Sequence, residues 1–191
     1  MKKWFNNASV SDTRMFMIIM ALTSLLTLFF SLFLFPDPKV HEALGKVGSN
    51  GGAMIAVIGS ISGAIGIVIG LFVTVYLQFL LYYIVMSIKK RTMTKEINQL
   101  AKRSFYISTA ISLIVSQLIN IIAMLIEQHQ IVDTTFTIVV TVIQILVTIG
   151  LLYGFFKYLV KDLQVGYWII TVVFVVQLVI ALMPIFSKYS L

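Results

Sequence analysis

Between Ala53 and Ile88 the chain runs for 36 residues without an Asp, Glu, Lys or Arg. As one helix that run would be about 54 Å long, almost twice a hydrocarbon core of roughly 30 Å. Four more runs are long, apolar and uncharged: 15–35, 104–126, 134–156 and 163–187. Only 11% of the 191 residues are charged, against about a quarter in a soluble domain, and mean hydropathy is +1.03. A water-soluble core has no room for so much apolar chain. The pattern predicts an all-α membrane protein, a single membrane domain over 1–191 holding a bundle of five transmembrane helices.

Two minimal crossings inside 53–88 would fit only tightly and would undo the charge asymmetry described below. We read one crossing over 65–88, preceded by a glycine-rich outer segment, 45–64, at or dipping into the interface. A cleaved leader over 15–35 is disfavoured, because its apolar part is too long and no small-residue cleavage pattern follows. Pro36 and Pro38 end that span, since each biases the preceding residue away from helix.

Orientation rests on Lys and Arg alone. The N-terminal tail, the 89–103 loop and the 157–162 turn hold three, six and two of them, eleven of the fourteen; Lys39, Lys46 and Lys188 lie on the other side. Basic loops stay in the cytoplasm, so the N-terminus is expected inside and the C-terminus outside. A net charge of +7 in loops this short fits anionic lipid headgroups; nucleic acid is not an expected partner.

The loop KKRTMTKEINQLAKR contributes Lys89, Lys90, Arg91, Lys95, Lys102 and Arg103 against one acid, Glu96. Met93, Ile97 and Leu100 recur in it at helical spacing. That spacing predicts a short amphipathic helix on the inner leaflet, which is also a surface a partner can recognise.

Three GxxxG pairs occur: Gly59 with Gly63, Gly66 with Gly70, and Gly150 with Gly154. Glycines four apart make a flat strip on which a second helix packs closely in lipid. Packing inside the bundle is the simpler use; self-association through 150–154 is the alternative. Intramembrane amides are Gln78, Gln117, Asn120, Gln144 and Gln177. Gln117 and Asn120, three apart, are expected to meet a common partner across a helix contact. Interhelical bonding is favoured over a substrate path, because no Asp, Glu, Lys or Arg lies deep in a span.

Catalytic chemistry has no candidate. His41 and His129 sit in loops without an HExxH arrangement, and no GxSxG elbow, phosphate-binding loop or intramembrane aspartate pair occurs. With no cysteine, thiolate metal sites, disulfides and thiol catalysis are excluded. No enzyme, metal or cofactor is expected.

The glycine-rich second span running into KKRTMTKEINQLAKRSFYISTAIS, and the later connector FFKYLVKDLQVGYWIITVVFVVQLV entering the last helix, resemble the Yip1 family in its bacterial branch, loosely over Ala53 to Leu182. Relatives often place a proline after the aromatic-small segment matched by Phe105, Tyr106 and Ser108; this chain has none. The resemblance implies five helices, a cytosolic N-terminus and a bacterial plasma membrane. It also implies non-catalytic roles: eukaryotic relatives bind prenylated small GTPases, and some bacterial relatives accompany exporters that protect against toxic peptides. The expectation is a membrane adaptor or assembly protein, accessory to a transport or export complex. The alternative is a small transporter, channel or peptide-immunity protein using the polar positions of spans three to five.

Overall fold

Loop residues with short polar side chains start the helices. Ser9 and Asp12 form a reciprocal cap, with Asp12 N donating to Ser9 Oγ at 3.1 Å and Ser9 N donating to Asp12 Oδ2 at 2.7 Å. Thr94 accepts from Ile97 N at 3.3 Å, Asp133 from Phe136 N at 3.1 Å, and Asp162 from Val165 N at 3.2 Å. Each satisfies an amide that the helix itself leaves without a partner. The computed structural model describes residues 2–35, 49–131 and 133–189.

The elements are α1 (Lys2–Asn7), α2 (Val10–Phe29, prolonged by a π-helical turn Phe30–Leu34), α3 (Ser49–Ile88), α4 (Lys95–Glu127), α5 (Thr134–Phe155, prolonged by a π-helical turn Phe156–Val160) and α6 (Leu163–Tyr189). No strand occurs among the described residues. Five helices, α2 to α6, are long and apolar enough to cross a membrane.

Two expectations change. The outer segment 45–64 is not a separate interfacial piece: from Ser49 onward it is helix continuous with the crossing, while 45–48 lie outside the described residues. Nothing from Ser49 to Ala64 breaks a helix, for the stretch has no proline, and Gly59 and Gly63 pack against Leu32 and Leu28 of α2. That close approach offsets the roughly 1 kcal/mol which each glycine costs a helix. Likewise the amphipathic stretch is no independent helix; Lys95–Arg103 forms the first turns of the 33-residue α4. Met93, Ile97 and Leu100 turn inward and pack on the same core as the spans, so the apolar stripe faces protein.

Around the bundle α2, α4, α5, α6 and α3 touch in that order, α3 closing back onto α2 and also reaching α4. The most buried span is α4, with 39% of its membrane window buried against 11–28% in the others. Its inner face is small and hydroxylated: Ala101, Ser104, Ser108, Thr109, Ala110, Ser112 and Ser116 are buried. Small side chains let neighbours approach where lipid supplies no hydrophobic drive. The hydroxyls do not go unpaired: Ser104 donates to Leu100 O at 2.9 Å and Ser108 to Ser104 O at 2.7 Å. Toward the end with the 89–94 loop the core turns aromatic, with Tyr82, Phe105 and Phe156 fully buried.

Candidate functional site

Three segments far apart in sequence meet at one end of the bundle. Helix α1 lies against the end of α5, where the Phe5 ring fills the recess over Gly154 and meets Phe155 edge-on at 4.9 Å. A Cβ at Gly154 would stand 2.6 Å from Phe5 Cε1. The 89–94 loop is latched to the α5–α6 turn by Arg91, whose Nε lies 3.6 Å from Asp162 Oδ2 and whose guanidinium donates to Gln164 Oε1 at 3.1 Å. Lys89 Nζ sits 5.1 Å above the Trp168 ring.

The result is a cationic face. Lys3, Arg14, Lys89, Lys90, Lys95, Lys102, Lys157 and Lys161 are exposed there, and Arg103 is half-buried. Among the described residues the one ion pair at this end is Arg91–Asp162. Of the six cations expected in the loop surface, five are displayed or partly displayed, and Arg91 is used to hold the loop down. That latch was not readable in the sequence, because Asp162 is separated from Arg91 by two spans. Asn98 Nδ2 adds a second tie, donating to Tyr83 Oη at 3.2 Å.

The intramembrane amides divide. Gln117 is buried and bridges α4 to α2: Thr23 Oγ1 donates to its Oε1 at 2.5 Å, and its Nε2 donates to Ser24 Oγ at 2.6 Å. Asn120 does not join that bridge, contrary to the expectation of a shared partner. Three residues along a helix leave a residual rotation of roughly 60°, which carries Asn120 into a cavity of about 330 Å³ between α2, α4 and α5. Gln144, Ser31, Ser116, Thr137 and Thr141 line it too, with Gln130 from the α4–α5 loop, so it lies at the end away from the cationic face. Its lining carries no charged side chain.

The glycine pairs also part company. Gly59 and Gly63 serve the α2–α3 contact. Gly154 is filled by Phe5 while Gly150 has nothing within 4 Å, so 150–154 is not a continuous docking strip. Gly66 and Gly70 are exposed with nothing within 4 Å. His129 is exposed; His41 lies outside the described residues. Among the described residues no three His, Asp or Glu side chains gather closely enough to hold a metal ion.

Five apolar helices, the most buried of them lined with hydroxyls, define an all-helical integral membrane protein. Compared with family models, with curated proteins and with solved structures, the chain gives no match. The Yip1 likeness therefore rests on the residue pattern quoted above.

Proposed function

We propose that this chain is a non-enzymatic adaptor of the bacterial plasma membrane, accessory to a transport or export complex, which it binds through the cationic end face. In this reading the face is cytoplasmic and the C-terminus lies outside. The observation that carries it is the convergence of α1, the 89–94 loop and the α5–α6 turn into one surface whose lysines are left exposed. Short cationic segments beside a membrane stay on the inner side and attract anionic surfaces, whether lipid headgroups or an acidic partner. The Yip1-like pattern agrees with a recruiting role.

The test spares the latch. Lys90→Gln, Lys95→Gln and Lys102→Gln together remove three exposed charges and leave Arg91 on Asp162 and Lys89 over Trp168. The adaptor reading expects a stoichiometric membrane partner to co-purify with the parent chain in mild detergent and to be lost from the triple variant at unchanged thermal stability. A parent chain that purifies without a partner from its native membrane ends the proposal.

The cavity around Asn120 and Gln144 favours a second reading, a passage or binding site for small uncharged polar molecules. Flux in liposomes containing this protein alone, abolished by Asn120→Leu, would establish it and displace the adaptor.

A further inference from the structure

The cavity between α2, α4 and α5 is defined by its hydrogen bonds as much as by its shape. Five hydroxyls line it, those of Thr27, Ser31, Ser116, Thr137 and Thr141, and each donates to a carbonyl three or four residues earlier in the chain at 2.8–3.0 Å. Within a membrane helix that carbonyl is always in reach, so the hydroxyl proton is spent and the oxygen keeps its lone pairs. What the hydroxyls have left to offer, from three helices, is acceptors.

Donors come from side-chain amides. Asn120 on α4 and Gln144 on α5 are half-buried and make no side-chain hydrogen bond among the described residues, in contrast to Gln117, which uses both ends of its amide on α2. Gln130 adds a third amide at the loop end. Asn120 and Gln144 lie about 10 and 15 Å in from the near ends of their helices, so the cavity reaches from the loop to the middle of a core about 30 Å thick. Acyl chains offer an amide at that depth no partner, and a polar occupant does.

The walls narrow the choice of occupant. No lining side chain is charged, so an ion of either sign would shed its hydration with no counter-charge to replace it. Leu28, Met124, Phe136 and Val140 make up an apolar wall, on which water gains nothing and C–H groups gain contact. A small amide carries its N–H groups on one side only, whereas the acceptors here surround the space. A ring with hydroxyls along its rim gives a donor to each helix, accepts from Asn120 and Gln144, and lays its C–H face on the apolar wall. At about 330 Å³ the space is at the small end of ligand pockets.

We infer that this cavity binds a neutral polyhydroxylated ring, a monosaccharide or cyclitol, either free from the water or as the headgroup of a neutral glycolipid. The inference rests on the cavity reading given above and names its ligand; binding without passage leaves the adaptor standing.

With the chain in lipid nanodiscs, radiolabelled glucose or myo-inositol should bind saturably, or native mass spectrometry should retain glucosyl diacylglycerol in preference to diacylglycerol. The first result assigns a soluble ligand and the second a lipid one; either supports the site. Asn120→Leu and Gln144→Leu should each weaken that binding about tenfold or more, the former at unchanged melting temperature. Thr141→Val, nearly isosteric but without the acceptor oxygen, should weaken it where Thr141→Ser does not, and Gln78→Leu, outside the cavity, should have no effect. Binding that survives both amide substitutions lies elsewhere and refutes the assignment. Urea or acetamide bound at least as tightly as the sugars and the glycolipid overturns the polyhydroxyl assignment but keeps the cavity reading. If none of these probes binds saturably, water alone fills the space and both fail.

Discussion

Gly154 shows how a single missing side chain organises a surface. Its recess accepts Phe5, and Trp4 packs beside it against Phe155 with the rings tilted, centroids 5.4 Å apart. Without that recess α1, six residues long, has too few turns to persist as a helix on its own. Phe5→Ala is expected to lower stability by about 3 kcal/mol and to expose the N-terminal segment to protease, measured by thermal unfolding and limited proteolysis in detergent. Gly154→Val should release the same segment, since the added methyls collide with the Phe5 ring. Gln117 and Asn120 make a contrasting pair. Gln117→Leu should cost about 1 to 2 kcal/mol by breaking the bridge to Thr23 and Ser24, whereas Asn120→Leu, beside open space, should leave the melting temperature nearly unchanged.

Among the elements, α4 carries most of what sequence reading could and could not supply. Its apolar length was legible as the uncharged run from Ser104 to Ile126, whereas the Thr94 cap comes from the structure. The join was not legible either. A change from charged to uncharged residues at Arg103 looks like a boundary between an interfacial helix and a span. Charge, however, says nothing about backbone continuity, and Leu100 to Ser104 holds neither Gly nor Pro to interrupt it. Hydrogen exchange discriminates between the two arrangements. Backbone amides from Asn98 to Arg103 should exchange nearly as slowly as those of Ser104 to Ile107, without the fast-exchanging joint that two separate helices would show. Ala101, fully buried between neighbours, should tolerate no enlargement; Ala101→Leu is expected to destabilise by about 1 to 3 kcal/mol. The cationic residues of the end face were likewise visible as a list. Their division into displayed lysines and a latching Arg91 was not, because it depends on which loops meet.

For the whole molecule, five helices fit to cross a membrane and eleven cations gathered at one end make a prediction about sidedness. A periplasmic-type reporter enzyme fused after Leu191 should be active, and a cytosolic reporter there should be silent. The reverse outcome would place the cationic face outside and remove the basis of the adaptor reading. Moving positive charge tests the cause: adding Lys beside Lys188 while neutralising Lys2, Lys3 and Arg14 should produce a mixture of orientations, seen by accessibility of introduced cysteines.

The lengths of the spans carry a consequence for the surrounding lipid. The uncharged run of α3, 53–88, has 36 residues, and that of α6, 163–187, has 25. They correspond to about 54 Å and 38 Å. Leaning at about 40°, the upper end of the usual range, α6 would occupy roughly 29 Å of depth but α3 still roughly 41 Å. Lipid beside α3 must therefore thicken while lipid beside α6 stays relaxed, giving the protein an annulus of uneven height. Such a protein is expected to gather in the thicker parts of a membrane.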